Sequence, residues 1–138
     1  MTVPRPFVGP DVSTQPFRPA LETALDLPVA PSVNETRKLH RPGLRRLAEW
    51  KRQAGMHLMA NGQYRKAIKD VARFEIEVVL NEKLCRCDGD NILKNTIDYL
   101  RELKLIVNDS PKHMRKLTVS WGEAPSGMRI IIRPVEKS

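Results

Sequence analysis

The stretch Arg73–Leu103, RFEIEVVLNEKLCRCDGDNILKNTIDYLREL, decides the fold. Its opening residues alternate, with Phe74, Ile76 and Val78 on one side and Glu75 and Glu77 on the other. That is the two-residue period of a strand with one wet face. The period then changes. After a short link, Asp90-Asn91 supplies N-cap chemistry, and Ile92, Leu93, Ile97, Leu100 and Leu103 recur at helical intervals, which predicts an amphipathic helix. Leu105–Val107 follows as a short strand ending at Asn108-Asp109, so this central part reads as β-α-β.

Working outward, a helix is expected upstream from Pro42, suited to a first helical turn, to the stop signal Asn61-Gly62. Leu44, Leu47, Ala48, Met56 and Met59 fall at helical spacings on its apolar stripe, with Arg45, Arg46, Lys51 and Arg52 largely off it. Residues 63–71 continue as a short helix or a connector. Residues 21–29, LETALDLPV, predict a first strand closed by Pro28 and Pro31, and residues 30–40 carry loop chemistry. Downstream, Leu117–Trp121 and Met128–Val135 flank the turn GEAPSG and read as a terminal hairpin. There is no internal repeat. The order predicts a small single α/β (α+β) domain over residues 20–138, a mixed β-sheet flanked by helices. Residues 1–19, with five prolines and little periodicity, predict a flexible tail.

A chain of 138 residues suffices for one modest core. No apolar run approaches a membrane span, and the N-terminus lacks the apolar centre of a signal peptide, so a cytoplasmic protein without membrane partners is expected. Cys85 and Cys87, one residue apart, suit neither a mutual disulfide nor a zinc site and read as ordinary thiols. Nothing calls for an organic cofactor. The net charge of +8 is uneven. Residues 35–69 hold ten Lys/Arg against two acids, whereas residues 70–100 hold four basic and seven acidic residues. A basic segment attracts phosphate and an acidic one can hold a metal, a division that suits an enzyme acting on nucleic acid. Solvated helix faces would give the same count.

The chemistry concentrates in Asp88, Asp90, Lys94, Asp98 and Asp109. Asp88 and Asp90 are two apart at a strand end, and Asp90 opens the helix. Lys94 and Asp98 follow at i+4 and i+8 on roughly one helical face. If the strand ending at Asp109 pairs beside the first strand, three carboxylates converge near a lysine. Such carboxylates repel unless a cation lies between them, and hard oxygen ligands with room for phosphate suit Mg²⁺ or Mn²⁺. The metal would polarise a phosphodiester, and the lysine would stabilise charge on the reacting phosphate. Each residue also has an ordinary structural role: Asp90 as an N-cap, Lys94 as an i,i+4 ion-pair partner, Asp109 as a turn residue.

The segments Asp88-Gly89-Asp90-Asn91-Ile92-Leu93-Lys94, Ile97-Asp98-Tyr99-Leu100 and Val107-Asn108-Asp109-Ser110 resemble the RusA family of Holliday junction resolvases, crossover junction endodeoxyribonucleases of bacteria and their phages. The family pattern is D-x-D-N-x-x-K, then a D-x-L helix, then a strand ending in D-D; the interval from Asp90 to Asp109 agrees without a gap. Leu27-Pro28-Val29-Ala30-Pro31-Ser32-Val33-Asn34 is similar to the family's first strand and P-P-S-x-N loop. The resemblance covers roughly residues 21–135 and is weaker upstream. Asn108 replaces the first Asp of the pair, and Pro111 stands where a Gln is usual. The resemblance implies metal-binding aspartates at Asp88, Asp90 and Asp109, a catalytic lysine at Lys94, and a homodimer. It also implies Mg²⁺-dependent paired nicks in branched, four-way DNA during recombination and repair. Arg37, Lys38, Arg45, Arg46, Lys51 and Arg52 are the candidate DNA path. The alternatives are a non-cutting DNA-binding protein of the same fold and a less selective nuclease for forks and flaps.

Overall fold

A computed structural model of the chain describes residues 22–32, 41–85 and 89–135, without the side chains of residues 41, 42 and 89–91. In chain order the elements are β1 (Thr23–Leu27), α1 (Arg41–Ala60), the single-turn α2 (Gln63–Lys66), β2 (Phe74–Leu80), α3 (Gly89–Glu102), β3 (Met114–Trp121) and β4 (Met128–Pro134). The four strands form one mixed sheet in the order β1-β4-β2-β3. β4 is antiparallel to both neighbours, and β3 runs parallel to β2. This is the small α+β domain expected.

β2 keeps the alternation read from its sequence: Phe74, Ile76, Val78 and Leu80 are buried, and the intervening residues are half-buried. Leu25 and Leu27 of β1, Met128, Ile130 and Ile132 of β4, and Ile92, Ile97 and Leu100 of α3 join them in one core. Each such side chain contributes about 1.5–3 kcal/mol when fully buried. On the opposite face the charges pair. Arg129 reaches Asp26 at 3.0 Å, and Arg133 bonds both Glu22 and Glu77. Burial raises the Asp26 carboxyl, but hydrogen bonds from Gln63 and Arg129 outweigh it and leave the group below its ordinary value.

Three expectations need correction. The first concerns α1, whose inward stripe is Leu47, Trp50, Ala54 and Leu58, while Leu44, Met56 and Met59 are exposed. Trp50 sets the rotation. Its indole N–H donates to the Pro28 carbonyl at 2.9 Å and its ring meets Tyr99 edge-on at 5.1 Å, so the largest side chain on the helix faces inward.

The second correction concerns the last two strands, which form no hairpin: β2 lies between β4 and β3. β4 offers Met128, Ile130 and Ile132 to the core and takes an inner position, whereas β3, carrying Arg115 and Lys116, takes the edge. Their connection crosses the end of β2 and is fastened there. Gly122 N–H donates to the Leu80 carbonyl at 2.9 Å, Asn81 N–H to the Gly127 carbonyl at 3.0 Å, and the Asn81 side-chain amide to the Ala124 carbonyl at 3.2 Å. Gly127 has φ 121, and a Cβ there would lie 2.7 Å from Val29, so the turn requires glycine.

The third correction is that Leu105–Val107 makes only an isolated parallel bridge, Val71 to Ile106. α3 ends with Lys104 in the left-handed region at φ 64, and Asp70, at φ 55, donates its N–H to the Lys104 carbonyl at 2.7 Å. This turn spends the chain on closing the helix and leaves too few residues for a full strand.

Candidate metal and nucleic-acid site

α3 carries the central segment. It begins at Gly89, so Asp90 lies in its first turn rather than just before it. Ile92, Thr96, Ile97 and Leu100 hold its inner side, with the Thr96 hydroxyl donating to the Ile92 carbonyl at 2.8 Å. Asn95 is buried and donates to the Pro31 carbonyl at 2.9 Å, tying α3 to the proline-containing loop after β1. The outer side is therefore fixed in rotation.

On that outer side the charges form a ladder. Lys94 Nζ lies 3.5 Å from Asp98, Arg101 lies 3.6 Å from Asp98, and the same Arg101 nitrogen lies 3.7 Å from Asp109. Lys94 is 73% exposed, so it is available to a ligand and its pairing with Asp98 is weak. Lys94, Asp98, Arg101, Glu102, Lys104 and Val107 line an open depression of about 540 Å³. Asp109 is held locally as well, its N–H donating to the Asn108 side-chain oxygen at 2.7 Å. The Asn108 side chain thus orients the backbone of Asp109.

Of the three carboxylates expected to converge, the described residues place the side chain of Asp109 alone. α3 has 14 residues, about 21 Å at 1.5 Å per residue. Asp90 is in its first turn, and Asp109 is paired to Arg101 near its last. The bridge to Val71 places the segment before Asp109 at the start of β2. Asp88 and the Asp90 side chain lie outside the described residues. The donors are all carboxylate oxygens, which fits a hard divalent cation. Among the described residues, no three His, Cys, Asp or Glu side chains gather closely enough to hold a metal.

The candidate DNA path divides in a similar way. Arg37 and Lys38 lie outside the described residues. Lys51 is bound to Glu102 of α3 at 2.6 Å, and Arg52 forms a two-pronged pair with Glu49 at 3.1 and 2.5 Å. That pairing moves both groups of the Arg52–Glu49 pair in the expected directions, with Arg52 raised and Glu49 lowered. Arg45 and Arg46 line a cleft of about 630 Å³ with Val29, Ala30, Pro31, Glu49, Trp50 and Gln53, beside the loop after β1.

Arg101 was missed from the sequence. Its signal was present: it falls three residues after Asp98 and seven after Lys94, on the same helical face. No helix among the described residues is long and apolar enough to cross a membrane. No protein-family model matches the chain, and a comparison with curated proteins finds no match.

Proposed function

We propose that the protein is a metal-dependent endodeoxyribonuclease acting on branched DNA, in particular four-way junctions. The reading rests on the D-x-D-N-x-x-K resemblance, and the observation that carries it is the outward-facing ladder of Lys94, Asp98, Arg101 and Asp109 beside an open depression. Asp88, Asp90 and Asp109 are the residues that would hold Mg²⁺ or Mn²⁺. A bound ion there supplies Lewis acidity at the scissile phosphodiester. Lys94 presents an exposed ammonium where negative charge develops on phosphorus. Arg45 and Arg46 engage backbone phosphates and hold the duplex arms, which positions DNA without reading its sequence. A homodimer matches the two-fold symmetry of a junction, one carboxylate set meeting each of two equivalent phosphodiesters.

Arg101 favours a second reading. It neutralises both Asp98 and Asp109 without a metal, as a non-cutting DNA-binding protein would require. One experiment separates the two: the protein is incubated with branched DNA while Mg²⁺ is titrated, with EDTA as the control. Strand scission that rises with Mg²⁺ and vanishes in EDTA supports the nuclease. Binding without scission at any Mg²⁺ or Mn²⁺ concentration supports the alternative.

A further inference from the structure

Among the described residues β3 is the outermost strand of the sheet, and all of its side chains are exposed or half-buried. Leu117, Val119 and Trp121 pair in register with Ile76, Val78 and Leu80 of β2, so they continue the core face of the sheet. The β2 residues are at most 1% exposed, whereas Leu117 and Val119 are each 39% exposed and Trp121 52%. The helix layer stops short of β3. Among the described residues, what remains is an apolar stripe on an edge strand with no strand paired to its outer side. Natural proteins usually blunt such an edge. Here a bulge at Arg115 and the charge of Lys116 do so at one end only.

We infer that this edge is where two copies of the chain meet, β3 against β3 in antiparallel register about a two-fold axis at Val119. The sequence of the strand is self-complementary about that residue. Leu117 of each copy stands opposite Trp121 of the other, an aliphatic–aromatic pair, and Thr118 stands opposite Ser120, a hydroxyl pair. Lys116 stands opposite Gly122, and the Arg115 end of each strand meets the Glu123 end of the other. No like charges are directly opposed. An axis two positions earlier would set Leu117 against itself and leave Trp121 outside the pairing, and an axis at Lys116 would oppose two ammonium groups. An acidic peptide would satisfy the cations but has no counterpart to the match between the two halves of the stripe. The pairing joins two four-stranded sheets into one continuous sheet and turns the Asp109 end of each copy toward the end of the other at which α3 begins. The inference therefore deepens the proposed function and rests on it for its purpose, though not for its test.

The test is oxidative cross-linking of Val119→Cys. Residues directly opposite each other in an antiparallel pair have Cα atoms about 4.5–5.5 Å apart. That separation falls within the roughly 4.4–6.8 Å that a disulfide spans. The expected result is a covalent dimer whose mass map contains two copies of the substituted β3 peptide joined through the introduced thiols, above the background of wild type with its own Cys85 and Cys87. Arg65→Cys, on the exposed α2, stays monomeric on the same gel. In a second arm, Val119→Arg opposes two guanidinium groups at the axis and weakens the dimer by roughly 100-fold or more in sedimentation. A wild-type protein that is monomeric at micromolar concentration overturns the inference, as does a dimer that neither cross-links through Val119→Cys nor responds to Val119→Arg. DNA scission is read separately on the same samples, so a β3-linked dimer that never cuts rejects the nuclease and leaves the interface standing.

Discussion

α1 and α3 pack into the same core and touch each other through the edge-on contact of Trp50 with Tyr99 and the hydrogen bond from the Tyr99 hydroxyl to the Lys51 carbonyl. They use their charges differently. α1 is strongly basic in sequence, yet Lys51 is spent on Glu102 of α3 and Arg52 on Glu49 of the same helix, so two of its cations fasten helix to helix or close on themselves. α3 is mixed in sequence, and it presents alternating charges outward in a row that ends on Asp109. A charge count over a segment therefore overstates what a polyanion meets. The arrangement of a few groups on a fixed helix face says more about chemistry than the total.

The contrast can be broken most sharply at the start of α3. Asp90→Asn is expected to abolish Mg²⁺-dependent scission while branched DNA still binds, and to tighten binding slightly as repulsion of phosphate falls; a gel-shift and cleavage assay on one preparation reads both. Removing the packing between the helices acts on stability instead. Trp50→Ala deletes a buried ring and its bond to Pro28 and should cost about 3–5 kcal/mol in urea unfolding. Lys94→Ala should lower the cleavage rate by roughly 100-fold, the size of effect seen when a transition-state charge partner is removed. Its urea midpoint should stay put, because the exposed pair with Asp98 contributes little. An unchanged rate would make Lys94 only a surface partner of Asp98.

The smallest effects separate the cations of α1 from one another. Replacing Arg45 and Arg46 with Ala should weaken binding to all DNA and reduce the salt dependence by about one unit for each phosphate no longer neutralised, without moving the cut sites. The same change at Lys51 and Arg52 tests whether cations already paired with Glu102 and Glu49 also meet DNA. Equal weakening from the two double substitutions would show that the ion pairs of Lys51 and Arg52 open when DNA arrives, and the contrast between the helices would not hold for the bound state.

What could be read from the sequence followed the physics of period and capping. β2 and α3 were legible because each has a strong, single period, and Asn61-Gly62 marked the end of α1 through a glycine that takes φ 73. The stripe of α1 was not legible, because its methionines and leucines matched the helical period on a competing face and only the indole contacts of Trp50 and Tyr99 decide between the faces. The false hairpin has a similar cause. A turn sequence predicts that two strands are close in the chain, but the burial demand of Ile130 and Ile132 placed β4 inside the sheet and sent β3 to the edge. Of the candidate site, the residue types and the face they share were legible. The placement of Asp109 beside Arg101 was not, because it depends on how the turn at Lys104 closes α3.

The central claim is that this fold cuts branched DNA with a metal held by aspartates. It is tested most directly by mapping nicks on a four-way junction with fixed arms, beside a linear duplex of the same sequence, in Mg²⁺ and in EDTA. The account predicts paired, symmetric nicks in opposite strands of the junction that require Mg²⁺, with the linear duplex left intact. Scission that persists in EDTA, or a junction left uncut in both Mg²⁺ and Mn²⁺ by protein that binds it, would contradict it.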